Sequence, residues 1–264
     1  MSYFPILKAP HCTGQTTLYN FSPNNWESTY KGIQSINLSY TDGIFWHSVV
    51  LGELAYGDCQ VVKYQDVKNL IPGNALPLLS LTQNKLDKTS KELPQLVGNQ
   101  TNVPQYRSTL GLTSQYTTTS YQGEIDPFPL KASLLTFSPF LQFADKVENF
   151  LLLLNLEKQA DNREVKVEIF DANTKILKCE KTALSNNINT ISLDDCGFSK
   201  NDLPVVICRE MAAIPLYFSC VNDGEFLSLE HTHPPASLVV HGARVGAQKY
   251  LKDYWFSQLK KNNE

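Results

Sequence analysis

Four short stretches of this chain recur in the same order in its two halves. FPILKA at 4–9 is answered by FPLKA at 128–132, and YNFSP at 19–23 by LTFSP at 135–139. NALPLLSL at 74–81 matches NDLPVVIC at 201–208 in its proline and apolar residues. Between these landmarks each half carries a hairpin-like stretch, INLSYTDGIFW in the first and VKVEIFDANTKIL in the second. Any one match of this length would arise by chance. Four in order point to a tandem duplication of one building block.

The building block reads as β. In VKVEIFD, Val165, Val167 and Ile169 alternate with Lys166 and Glu168, the period of two that a half-buried strand requires. TDG and DANT supply turn chemistry, because Asp, Asn and Gly accept the left-handed angles of tight hairpins. QVVKYQDV, LPLLSLT, NTISLDD, LPVVICREM and IPLYFSCV continue the series of short strands. Such spacing indicates sandwiches or barrels. The expected fold is therefore mostly β: two tandem, duplicated antiparallel β-sandwich domains followed by a C-terminal amphipathic helix. The first repeat spans 1–83, a polar linker or long loop 84–105, the second repeat 106–242 and the helix 243–264. In the helix, Ala247, Leu251, Tyr254, Trp255 and Leu259 fall on one face at helical spacing.

Bulk properties exclude several classes. With 42% hydrophobic and 19% charged residues the chain is an ordinary globular protein rather than a disordered one. A net charge of −3 without basic runs argues against nucleic acid, whose binders owe most of their affinity to phosphate neutralisation. The strongest apolar run, FLLLLNL at 150–156, is too short to span a bilayer. The opening residues lack the basic and apolar regions of a secretory signal, so a cytoplasmic location is expected. Six cysteines at 12, 59, 179, 196, 208 and 220 show no CxxC spacing, and buried free thiols are the first expectation, disulfides the second.

GxSxG, P-loop, GxGxxG and HExxH signatures do not occur in the sequence. Candidate functional residues lie in segments of the second repeat that have no counterpart in the first. In EFLSLEHTH, Leu227, Leu229, His231 and His233 share one face of a strand, with Glu230 on the other. His231, His233 and His241 could ligate a divalent transition metal, although no other cofactor is expected. The residue order does not fit cupin, amidohydrolase-like or metallo-β-lactamase-type patterns. Glu124 and Asp126 flank Ile125 and face the same side, as paired carboxylates for acid–base work would. Tyr116 and Tyr121, in the hydroxyl-rich TSQYTTTSYQ at 113–122, offer a sugar-binding surface. The pairing of His11 with Cys12 reads as noise, since adjacent side chains point apart in a strand.

The reading preferred on these grounds is a non-catalytic binding or accessory protein. Its ligand would be carbohydrate or another small polar molecule, held by Tyr116, Tyr121, Glu124, Asp126, Glu230, His231 and His233. The first alternative is an enzyme using Glu124, Asp126, His231, His233 and His241, with or without metal. The second is a structural subunit that assembles as a homo-oligomer through exposed sheet edges.

Overall fold

A computed structural model describes residues 3–21, 31–84, 86, 88–94, 108–137, 141–231 and 244–259. The chain is mostly β, with four antiparallel sheets and a C-terminal helix. The front half contributes β1 (Phe4–Pro5), β2 (Thr13–Tyr19), β3 (Gln34–Thr41), β4 (Trp46–Leu54), β5 (Cys59–Lys63), β6 (Leu78–Thr82), β7 (Thr89–Ser90), β8 (Ser108–Thr113) and β9 (Thr118–Gly123). The rear half contributes β10 (Leu134–Phe137), β11 (Val147–Leu154), β12 (Glu164–Asp171), β13 (Leu177–Leu184), β14 (Ile188–Ser192), β15 (Pro204–Cys208), β16 (Ile214–Val221) and β17 (Phe226–His231).

The front sheets run β1-β6-β3-β4-β7 and β5-β2-β8-β9; the rear sheets run β10-β15-β12-β13 and β14-β11-β16-β17. Apart from the two-residue β7, the order is the same. β1 to β6 answer β10 to β15 one for one, β8 answers β16 and β9 answers β17. Of the recurring stretches, the hairpins fall on equivalent pairs, β3–β4 and β12–β13, and the Leu-Pro stretches lead into equivalent strands, β6 and β15. The others do not coincide: Tyr19 closes β2 whereas Leu135–Phe137 lie in β10, and FPLKA precedes β10 whereas FPILKA contains β1.

Both hairpin turns are closed by an aspartate. Asp42 accepts from the amides of Ile44 and Phe45 at 2.8 Å each, and Asp171 accepts from those of Asn173 and Thr174 at 3.3 and 2.9 Å. These are Asx turns, the local chemistry that TDG and DANT encode. QVVKYQDV departs from expectation. Its strand stops at Lys63, where the Asp66 carboxylate takes the Lys63 amide at 2.9 Å and starts a one-turn helix, α1 (Tyr64–Val67).

Strands β8 and β9, placed by sequence in the second repeat, join the front half: β8 is hydrogen-bonded to β2, and β9 to β8. Part of the stretch read as linker is also fastened down. Thr89–Ser90 pair with β4, Glu92 bridges Gln159, and the amide of buried Leu93 donates to the Lys158 carbonyl at 2.7 Å.

Three cores explain the apolar patterning. Phe4, Leu18, Ile36, Leu38, Val62 and Leu79 fill the space between the two front sheets. Leu151, Leu153, Val165, Val167, Ile169 and Tyr217 fill that between the rear sheets. A third core joins the halves: Trp46, Leu78, Leu110 and Leu112 meet Phe150, Leu152, Leu154, Leu216 and Phe218. The apolar part of the run FLLLLNL is thereby explained, because β11 is buried on both faces from Phe150 to Leu154.

Two further expectations need correction. The C-terminal helix, α2 (Arg244–Gln258), lies against the outer face of β12 and β15, but on a different stripe. Trp255, Phe256 and Leu259 face Phe170, Val205 and Ile207, while Leu251 and Tyr254 are exposed. Lys252 sits on the contact side because its ammonium reaches the Ser133 carbonyl past the sheet edge. The cysteines are not all free either. Cys179 on β13 and Cys196, in a turn after β14, form a disulfide between the rear sheets; Cys208 and Cys220 are buried thiols and Cys59 is exposed.

Candidate functional site

At one end of the shared core, three connections converge. The first is the loop between β1 and β2. Gly14 begins the return of this loop: a Cβ there would lie 1.7 Å from the Leu7 carbonyl oxygen, so only glycine lets the chain fold back so closely. Ala9 and Cys12 bridge, and His11 at the tip takes a left-handed φ of 58°. The second connection is the β8–β9 turn, which carries Ser114. The third is the turn after β16, where Asn222, Asp223 and Gly224 have consecutive positive φ values of 49°, 57° and 99°. Ser114 Oγ donates to the Gly224 carbonyl at 2.6 Å, and a Cβ on Gly224 would crowd Ser114 at 3.0 Å.

Beneath these turns Glu148 on β11 stands directly across from Cys220 on β16. Both follow the parity of the shared-core face, with Phe150 and Phe218 the next residues inward. Cys220 Sγ donates to Glu148 Oε2 at 3.5 Å, and His11 Nε2 lies 2.9 Å from the same oxygen. His11 Nδ1 points the other way, 3.8 Å from Asp223 Oδ1. One ligand-type atom from each of His11, Glu148 and Cys220 falls within 4.8 Å of the others. Among the described residues this is the one such group of three or more His, Cys, Asp and Glu side chains.

The electrostatics argue against a nucleophilic cysteine. Burial and the neighbouring Glu148 carboxylate push the Cys220 thiol up to about 12, and Cys12 adds to the effect. Burial likewise raises Cys12 to about 11. A thiol is activated by positive charge beside its sulfur, from an imidazolium, a lysine or arginine, or a helix N-terminus; here the Cys220 sulfur donates to a carboxylate instead. Nitrogen, oxygen and sulfur donors at this spacing suit a borderline transition metal rather than a calcium-type ion.

Beside the cluster opens a cleft of about 610 Å³ lined by His11, Cys12, Thr13, Gln15, Lys63, Gln65, Thr113, Ser114 and Gln115. Its polar walls come from the ends of β2 and β8 and from the start of α1.

The residues singled out from sequence fall elsewhere or at the margin. His231 does lie on a strand with Leu227 and Leu229, which pack on the shared core. Its Nδ1 is 3.3 Å from the Tyr121 hydroxyl, with the rings 5.0 Å apart, so β9 and β17 meet through this pair. Glu230 is its half-buried neighbour. Glu124 is half-buried and Asp126 exposed, either side of buried Ile125. Tyr116 is exposed at the β8–β9 turn, next to the cleft residues Ser114 and Gln115. His233 and His241 lie outside the described residues. The structure thus joins Tyr121 to His231 and leaves Tyr116 beside the cleft, outside its lining. The His11–Glu148–Cys220 group was missed because its members come from three distant segments. One signal was available: by alternation, Glu148 shares the face of Phe150, Leu152 and Leu154, an odd place for a carboxylate.

No protein-family profile, curated protein or solved structure matches the chain. Among the described residues no helix is long and apolar enough to cross a membrane.

Proposed function

We propose that the chain is a binding protein that takes a small polar ligand, carbohydrate by preference, in the cleft beside the His11 loop. The observation that supports this reading is the lining: Thr13, Gln15, Gln65, Thr113, Ser114 and Gln115 offer hydroxyls and amides, with Lys63 as the one fixed cation. Hydroxyl and amide groups both donate and accept, which suits a polyol better than a phosphate or carboxylate. Tyr116 adds an exposed ring at the rim on which a sugar face could stack. Relative to the sequence expectation, the site moves from the rear half to the front strands and keeps Tyr116 of the original set. The common strand order of the halves supports descent from one duplicated unit. The Cys179–Cys196 disulfide supports an oxidising compartment in place of the cytoplasm.

Glycan-array screening followed by calorimetry on the full chain tests the proposal. A sugar should bind, and Gln115→Ala or Tyr116→Ala should weaken it about tenfold, the loss of one good contact of about 1.4 kcal/mol. A blank across sugar classes, or binding indifferent to both substitutions, would refute it.

A further inference from the structure

We propose that His11, Glu148 and Cys220 hold one divalent transition-metal ion, zinc by donor chemistry, at the seam between the two halves. This stands independently of what the cleft binds.

The spacing fits the ion. Tetrahedral zinc with ligand bonds of roughly 2.0–2.3 Å separates its donors by about 3.3–3.6 Å. The Cys220 sulfur and the nearest Glu148 oxygen are already 3.5 Å apart. The His11–Glu148 separation of 2.9 Å is that of a hydrogen bond and would open by about half an ångström as the ion replaces the shared proton. Thiolate and carboxylate together balance the two positive charges, and neutral imidazole completes the set. Binding releases the Cys220 thiol proton and any proton shared between His11 and Glu148. Three protein donors leave a fourth position for water or a ligand.

The surroundings are built to hold this arrangement. A ligating histidine usually turns its second nitrogen to a carboxylate, which fixes the ring. His11 does so, with Nε2 in the cluster and Nδ1 toward Asp223. Backbone strain is concentrated here as well. Among the described residues, seven non-glycine positions have positive φ, and four of them, His11, Lys146, Asn222 and Asp223, surround this group. Each costs on the order of 1 kcal/mol, less for Asn and Asp, and such strain collects where side chains are held for function. The Asn222 amide donates to the Lys146 carbonyl at 3.2 Å, so the strained turns support each other. Glu148 and Cys220 belong to the rear half and His11 to the front, so the ion would cross-link them.

The test uses untagged full-length protein, stripped with a chelator, kept under argon and titrated with Co²⁺ and then Zn²⁺. One Co²⁺ per chain should bind with a thiolate-to-cobalt charge-transfer band that Zn²⁺ abolishes. Cys220→Ser should remove the band, and Asp223→Asn should weaken affinity about 10–100-fold, as loss of an outer partner does. His11→Ala, on a surface loop and so not needed for folding, should weaken it further, while His231→Ala should leave it unchanged. Far-ultraviolet circular dichroism confirms that each variant is folded. Should Cys220→Ser fail to fold, the His11→Ala and Asp223→Asn titrations decide the matter. The proposal is overturned by an absent band in the parent, a band that survives Cys220→Ser, affinity unchanged in His11→Ala, or a Cys12–Cys220 disulfide in the freshly purified chain.

Discussion

Asn186 tests how much a buried, fully satisfied polar network in the rear half, next to the seam with the front half, contributes to stability. The residue is fully buried, with a left-handed φ of 56°. Its side-chain oxygen accepts from the Glu157 amide at 2.7 Å, and its side-chain nitrogen donates to the carbonyls of Gln159 and Asp161 at 2.8 and 3.1 Å. Its own amide donates to Asn155 Oδ1 at 3.0 Å, and its carbonyl accepts from Leu76 of the front half at 3.0 Å. Asn186→Gly keeps the backbone conformation and removes the three side-chain bonds. One buried amide and two carbonyls lose a partner at roughly 1–3 kcal/mol each, and water entry into the vacated space offsets part of this, so about 3–5 kcal/mol is expected. Asn186→Ala adds the left-handed penalty of about 1–2 kcal/mol. Thermal unfolding of a chain this size shifts by roughly 2–4 °C per kcal/mol, so glycine should lower Tm by about 6–20 °C and alanine by a few degrees more. Equal effects of the two substitutions would refute the backbone part. A loss under about 1 kcal/mol in both would refute the network as a whole.

Two further outcomes follow from the hairpin carboxylates and the disulfide. Hydrogen bonds from the Phe45 amide, the His47 ring and the Ile44 amide hold Asp42 at about 2, below its ordinary 3.8. Burial opposes ionisation of Asp171, yet the amides of Leu203, Thr174 and Asn173 and the Thr174 hydroxyl still lower it. Both groups are more acidic folded than unfolded, so each stabilises above the ordinary carboxylate range and loses that stabilisation in acid, Asp42 as pH falls toward 2. Asp171→Asn should reduce stability at pH 7 and flatten that acid loss in a titration followed by near-ultraviolet circular dichroism; a superimposable acid profile would contradict this. Cys196→Ser opens a link between residues 17 apart and should cost about 3 kcal/mol in denaturant unfolding, with non-reducing peptide mapping of the parent showing the Cys179–Cys196 bond.

The fold was legible where local chemistry decides it. Alternation in VKVEIFD and the Asx turns at Asp42 and Asp171 fix hairpins within a dozen residues. The apolar character of β11 was visible too, though not its two-sided burial, which depends on β16 and on the front half arriving from far along the chain. The stripe on α2 was misjudged because Lys252 can bury its stem and Tyr254 can stay in water, so helical spacing alone leaves the contact face open. The candidate site was the least legible part. His231 and Tyr121 meet, but their strands β17 and β9 answer one another in the two halves rather than lacking counterparts, and the histidines close in sequence are not those the fold gathers with a carboxylate and a thiol. Adjacency misled most at His11 and Cys12. A strand would point them apart; the loop tip, with His11 left-handed, brings both to one site.

Strand order supplies a reason for the site to sit where it does. β2 and β8 are equivalent to β11 and β16, and the outer ends of both pairs have matching register. Thr13 faces Thr113 and Gly14 faces Leu112; Val147 faces Val221 and Glu148 faces Cys220. The turns that follow, at Ser114 and at Asn222–Gly224, touch through the 2.6 Å bond from Ser114 to Gly224, and the equivalent edge strands β9 and β17 pack together. Equivalent corners of the halves therefore meet one another, as the same patch does across the two-fold axis of a symmetric dimer. Strict symmetry at such a junction would place like groups opposite one another, two carboxylates or two thiols, and like charges would repel. Here the front corner offers glycine and leucine where the rear offers glutamate and cysteine. Gly14, by admitting the Leu7 carbonyl, lets the chain fold back so that His11 reaches Glu148 of the rear pair. The mixed donor set depends on that asymmetry, so Gly14→Ala should disperse the cluster while leaving Glu148 and Cys220 paired across their strands.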